Sequence, residues 1–325
     1  MPATSPSYLV GVIREKEKSL LSEDVYTRIL GARSGIEAVR SMADTSYGVQ
    51  LSSVNAFEGV SQALSEQALT ELTWILDGLD KPEIQSFLTA RYDALNIANS
   101  IISFVSNKNA PENLSPLGSI SQDVLFNVFW SERDVTLLPY AWRTIVKSER
   151  DLIGTEDWST TALLDRMAGH GSDVLTTLAR TPLSKTLARI MSARLTTDRY
   201  TRRQSTTLTD LGTISSLPIT KETSPTKVVE ALISAGITKA TEKALEDVQA
   251  GASALVYERM FDEAIVDALR NYRLEVVGYD PVIAYWFGRE MERKTLRMVL
   301  SAKFSGVHAD TIQELVRPLY QKSFA

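Results

Sequence analysis

Apolar residues recur at helical spacing through most of this chain, and long alternating runs rich in valine, isoleucine and threonine are missing. That pattern restricts the polypeptide to a nearly all-α fold. The stripe Phe57, Val60, Leu64, Ala68, Leu72, Ile75, Leu76 and Leu79 predicts a long helix over residues 56–77, with Asn55 and Glu58 as its capping pair. A second helix is expected to start at Pro82, where a missing N–H costs nothing and the fixed φ suits a first turn. It carries Ile84, Leu88, Leu95, Ile102 and Val105 on one side and Phe87, Ala94, Ile97 and Phe104 on the next, a surface wide enough for an interior helix. Asp280-Pro281 repeats the start signal. Ile283, Trp286, Phe287, Leu296, Val299 and Phe304 follow, and Gly306 is expected to stop that helix as an αL cap.

These two helices align without a gap at an offset of 199 residues, pairing Pro82 with Pro281, Phe87 with Trp286, Asp93 with Glu292 and Ser106 with Ser305. The match suggests an internal repeat. Pro182 opens a further helical pattern nearly midway between the other two prolines. A turn-rich connector at Asn109 to Pro116 and a serine- and threonine-dense break at Ser205 to Pro225 divide the chain into thirds. Three lobes are expected: residues 1–113, residues 114–225 with the connector, and residues 226–325.

Composition removes many functions. Among 325 residues there are 35 basic and 40 acidic side chains, a net charge of −5 that gives no general attraction to phosphate backbones. Nucleic acid is therefore not an expected partner. The lack of cysteine excludes disulfides, thiol nucleophiles and thiolate metal sites, and the two histidines, His170 and His308, lie far apart and are read as loop residues. The N-terminus lacks a basic region leading into an apolar one, and no apolar stretch reaches the ~20 residues a membrane span needs. A cytoplasmic location is expected.

Catalytic signatures are missing too. Gly169-His170-Gly171 lacks the third glycine of a phosphate cradle, and there is no P-loop, serine elbow or His-Glu-x-x-His. The carboxylates Glu258, Asp262 and Glu263, or Glu290 with Glu292, supply acid and base in principle. Their basic neighbours favour a solvated, salt-bridged face instead. No catalytic, cofactor-binding or metal-binding residue is assigned, no cofactor is expected and no small-molecule substrate is implied. The window Lys185 to Arg203 carries a net +5, which leaves −10 for the remainder. Within it Lys185, Arg189, Arg194 and Arg199 are candidates for contact with a partner protein. The five tryptophans, Trp74, Trp130, Trp142, Trp158 and Trp286, are assigned to the core.

The C-terminal segment Gly278-Tyr279-Asp280-Pro281, Tyr285, Arg289 to Arg297 and Ser301 to Val307 resembles the closing helix of the C-type subunits of V-type and A-type ATPases, whose eukaryotic relative is the d-type one. Pro281, Glu290, Glu292, Arg297, Lys303 and Gly306 fit that family's pattern. Tyr8 to Arg14, Ser46-Tyr47-Gly48 and Arg91 to Ile97, with Asp93 and Asn96 in its Asp-x-x-Asn motif, are similar to it as well. The middle third departs from the pattern. The resemblance implies three similar helical lobes in a pseudo-threefold funnel, with these motif residues in structural roles. It also implies a non-catalytic socket that couples the central shaft, made of the D and F subunits, to the membrane proteolipid ring. The competing readings are an α-helical repeat scaffold for protein–protein interaction and a magnesium-dependent helical enzyme. A series of short repeats would mark the first and an Asp-Asp-x-x-Asp cluster the second, and the sequence holds neither.

Overall fold

The computed structural model describes residues 6–200, 224–237, 255–313 and 316–320. These are helical with intervening turns, and no strand occurs among them. The helices are α1 Pro6–Glu17, α2 Glu23–Gly31, α3 Gly35–Arg40, α4 Gly48–Leu51, α5 Phe57–Gly78, α6 Pro82–Val105 and α7 Gln122–Phe129. After a 3-10 turn at Val135–Leu137 come α8 Tyr140–Leu152, α9 Thr160–Leu178, α10 Pro182–Tyr200, α11 Pro225–Ser234, α12 Leu255–Arg270, α13 Asp280–Phe304 and α14 Ala309–Gln313. The break at Ser205 to Pro225 falls largely outside the described residues; only its end is seen, where Ser224 caps the first turn of α11.

Two compact units form. The first combines the chain up to Lys81 with the part from Leu255 onward, and the second holds the helices α6 to α11. In the first unit α13 packs against α1, α3, α5 and α12. One core joins Tyr26, Ile29, Val39, Met42, Tyr47, Val60 and Leu64 to Leu296, Val299 and Leu300, so residues from opposite ends of the chain complete each other. In the second unit α6 packs on α7 and α9, and α10 lies against α9 and α11.

The expected helix starts at Pro82, Pro182 and Asp280-Pro281 are all observed. Every residue from Phe87 to Ala98 in α6 and from Asp280 to Arg293 in α13 is buried, as befits interior helices. Three local expectations differ. The N-cap of α5 is Ala56, without a side-chain bond, so the Asn55–Glu58 pair does not close the helix. His170 lies inside α9 rather than in a loop, because packing of α9 on α6 outweighs the propensity cost of ~1 kcal/mol per glycine at Gly169 and Gly171. Trp142 and Trp286 are core residues, whereas Trp74, Trp130 and Trp158 are only half-buried.

Candidate functional site

The polar centres of α13 and α6 carry several of the motif residues, whose bonds run within their own unit. In α13, successive turns place Arg289, Glu290, Glu292 and Arg293 inside the protein. The Arg289 Nε meets both Glu71 oxygens on α5 at 3.2 Å, its Nη1 binds Glu292, and its guanidinium lies 4.8 Å from the Tyr47 ring centre. Arg293 donates to Glu71 Oε2 at 2.6 Å and to Glu290 Oε1 at 2.6 and 2.9 Å, while lying 5.0 Å from the centre of the Trp286 ring. Glu292 also accepts the Tyr47 hydroxyl at 2.7 Å and the Leu21 backbone N–H at 2.6 Å.

Pairing and hydrogen bonding make this burial tenable. A buried carboxylate is costly unless paired and hydrogen-bonded, and here two guanidiniums face three carboxylates whose lone pairs also receive Tyr285, Tyr47 and a backbone N–H. Burial alone would raise Glu71. Arg289, Arg293 and the Tyr285 hydroxyl outweigh it and hold that carboxyl at about 2. Burial, together with the same carboxylate, pushes Tyr285 well above the usual phenol range. A second buried pairing sits nearby in the same unit, where Asp262 of α12 accepts Lys294 Nζ at 2.8 and 3.0 Å and Arg317 Nε at 2.7 Å. Asp262, Glu290 and Glu292 are buried, so the expectation of a solvated face is corrected for all three, while Arg259 and Glu263 do form an exposed pair.

In the second unit Asp93 and Asn96 clamp the turn-rich connector. Asp93 accepts the backbone N–H of Ser119 at 2.6 Å and of Ile120 at 3.1 Å, and the hydroxyls of Ser119 and Thr89 at 2.7 and 3.1 Å. Burial raises its carboxyl, and those four donors oppose the rise. The Asn96 amide pairs with both the N–H and the C=O of Ser115, at 2.7 and 2.9 Å, imitating a backbone partner. Gly118 permits this approach, since a Cβ there would lie 2.4 Å from Asn96 Nδ2 and 3.0 Å from Asp93 Oδ1.

The repeat seen in the sequence is carried into these details. Asp93 and Glu292, paired at offset 199, each accept the N–H of the residue just before a helix-opening serine: Ile120 before Ser121 and Leu21 before Ser22. The helix ends correspond too. Val307 N bonds Ala302 O with Gly306 N on Lys303 O, and Lys108 N bonds Ser103 O with Asn107 N on Phe104 O. Both are Schellman caps with a left-handed residue, Gly306 at φ 70° and Asn107 at φ 55°. Lys303 reaches back to cap α2, donating to Leu30 O at 2.6 Å and Ala32 O at 2.8 Å. Arg297 donates to Ser65 Oγ of α5 at 3.3 Å.

The basic stretch on α10 divides. Lys185 and Arg189 are exposed, but Arg194 is 2% exposed and cannot present its charge at a surface. The side chain of Arg199, with Arg202 and Arg203, lies outside the described residues. Elsewhere in this unit, buried Glu149 is gripped by Arg166 at 2.8–3.1 Å and approached by His170 at 3.2 Å.

These acids hold arginines, lysines and backbone amides of their own chain. Among the described residues no group of three or more histidine, cysteine, aspartate or glutamate side chains is placed to hold a metal, and no helix is long and apolar enough to cross a membrane. The fold and its polar centres define an all-helical protein with buried ion pairs and with long helices that clamp loops of their own unit. The family model described as ATP synthase (C/AC39) subunit matches residues 9–153 and 185–315, and the chain belongs to that family of V/A-type ATPase subunits. No curated protein matches the chain. Family membership sets aside an unrelated repeat scaffold. Tyr47, part of the Ser46-Tyr47-Gly48 resemblance, joins the α13 network through Glu292, whereas Glu71 is not marked in the sequence because nothing in its local pattern signals an inward-facing charge.

Proposed function

We propose that the chain is a non-catalytic subunit of the central rotor, the socket that couples the D and F subunits of the shaft to the membrane proteolipid ring. In this reading rotation passes through it between the ATP-hydrolysing head and the proton- or sodium-carrying ring. The protein is then peripheral on the cytoplasmic face of the membrane and enters catalysis only through contact surfaces. The observation that carries the proposal is the family match over residues 9–153 and 185–315, joined to the motif residues Arg297 and Lys303, which tie α13 to α5 and α2. A torque-bearing part needs stiffness, and close-packed cores braced by buried charge networks resist deformation.

The division into three lobes, at 1–113, 114–225 and 226–325, belongs to the same proposal and draws support from the matching clamps of Asp93 and Glu292. Lys185 and Arg189 form the docking edge, with Arg194 withdrawn because it is buried. The test is co-purification of the full chain with the D, F and ring proteins across a salt series. Lys185→Glu with Arg189→Glu is expected to weaken capture of shaft or ring and to flatten its salt dependence. Capture indistinguishable from that of the unmodified chain removes the docking edge from the proposal, and failure of the unmodified chain to capture either partner removes the proposal itself.

A further inference from the structure

The last described segment, residues 316–320, is not helical, yet each of its anchoring groups enters a prepared place on the first unit. Arg317, 2% exposed, donates to the buried Asp262 carboxylate at 2.7 Å. The Leu319 carbonyl accepts from Arg270. Tyr320, 4% exposed, donates its hydroxyl to Glu17 Oε1 at 2.9 Å, and its ring lies 5.9 Å below the Arg273 guanidinium. The ring also rests on α13 at Gly288, where a Cβ would come within 2.9 Å of two of its carbons. Helix α1 is thereby tied to α12 and α13 through five residues.

The groups that receive this segment all keep another partner without it. Asp262 retains Lys294 at 2.8 Å, Glu17 retains Arg14 at 2.8 Å, and Arg270 retains Asp267 at 2.9 Å. Detachment therefore strands no lone buried charge, which is the term that ordinarily makes breaking a buried ion pair prohibitive. Val316 and Leu319 rest on the core of this unit, but the other side of the segment is open. An open cleft of about 680 Å³ runs along Arg317, Pro318 and Leu319, and it is lined by Tyr26, whose buried hydroxyl has no hydrogen-bond partner among the described residues.

We propose that residues 316–320 are the detachable ligand of a peptide groove on the first unit, a latch whose groove takes a short extended peptide with an arginine followed three residues later by a tyrosine. Asp262 selects the guanidinium, Glu17 the phenol and Gly288 the ring. Closed, the latch fixes α1 against α12 and α13. Open, it leaves the groove for a segment of the same chemistry supplied in trans.

The test uses the full chain and a fluorescein-labelled synthetic peptide of residues 312–325, followed by anisotropy. In the unmodified chain the groove is self-occupied, which lowers apparent affinity in proportion to the open fraction. The double variant Arg317→Ala, Tyr320→Phe weakens the resident ligand while leaving the groove intact, and it is expected to bind the peptide at least about tenfold more tightly than the unmodified chain. Adding Gly288→Ala is expected to abolish that binding, although alanine is the better helix former. Equal affinity in double variant and unmodified chain, or binding indifferent to Gly288→Ala, overturns the proposal. Chymotrypsin provides a readout that needs no folded double variant. Cleavage after Tyr320 in the native unmodified chain is expected to outpace cleavage after Tyr285 and to accelerate at least about tenfold in Gly288→Ala. Cleavage after Tyr320 only as fast as after Tyr285 shows that the segment opens with the whole unit and is no latch.

Discussion

Glu71→Gln removes one negative charge from the α13 network and preserves side-chain size. Glu71 accepts from Arg289, Arg293 and Tyr285, so the substitution takes from two buried guanidiniums their charged partner on α5 and leaves them Glu290 and Glu292 of their own helix. Two routes give the size of the effect. Lowering this carboxyl from 4.5 to about 2 corresponds to roughly 3 kcal/mol between its charged and neutral forms. Breaking a buried ion pair from one side typically costs about 3–5 kcal/mol. The sign follows from linkage: a carboxyl depressed on folding stabilises above its unfolded value, and that stabilisation is lost as the pH falls through its folded value. Glutamine, which resembles the protonated acid, is therefore expected to destabilise the first unit by about 3 kcal/mol at pH 7 and by only about 2 kcal/mol at pH 3.5. Hydrogen exchange at the amides of Leu296 to Leu300, compared between variant and unmodified chain at both pH values, reads this difference within the correct unit. A cost below about 1 kcal/mol at pH 7, or one that does not shrink in acid, refutes the assignment of Glu71 as the keystone of the network.

Three further perturbations test the clamps and caps. Asp93→Ala leaves the Ser119 and Ile120 amides without their acceptor and is expected to cost about 2–3 kcal/mol in urea unfolding, whereas Asp93→Asn, which keeps one carbonyl for those amides, is expected to cost under about 1 kcal/mol. Because burial raises Asp93, its ionisation costs stability as the pH rises through the folded value, so the asparagine variant is also expected to show the flatter acid profile in thermal melts. Gly118→Ala drives a methyl into Asn96 and Asp93 and is expected to lower stability by about 1–3 kcal/mol, with accelerated exchange in the connector as the local signature. Lys303→Met uncaps Leu30 and Ala32 and is expected to fray the end of α2, lowering the melting temperature of the first unit by several degrees, which calorimetry measures.

The sequence shows most clearly what depends on neighbours along the chain. Apolar stripes and proline starts placed α6, α10 and α13, and Gly306 announced its left-handed cap, because these signals are local. The offset of 199 residues survives in the structure as matched caps and matched acid-to-amide clamps. Charge burial was not legible. Asp262 and Arg194 look like surface residues on their own helices, and Glu71 finds Arg289 only across a separation of 218 residues. A charged residue declares its side chain but not the opposite charge that folding delivers to it, so buried networks are the last feature a single sequence reveals. His170 departs from its expected loop for a related reason: flanking glycines argue for a loop only until tertiary packing decides otherwise.

The central claim is that the chain transmits rotation through contacts and performs no chemistry of its own. Its most direct test is ATP-driven ion pumping in liposomes by the reconstituted complex with and without this chain, measured beside ATP hydrolysis. The account predicts that omission abolishes pumping while the head continues to hydrolyse ATP and that adding the chain back restores coupling. Undiminished pumping without it, or hydrolysis that vanishes along with the chain, would contradict the account.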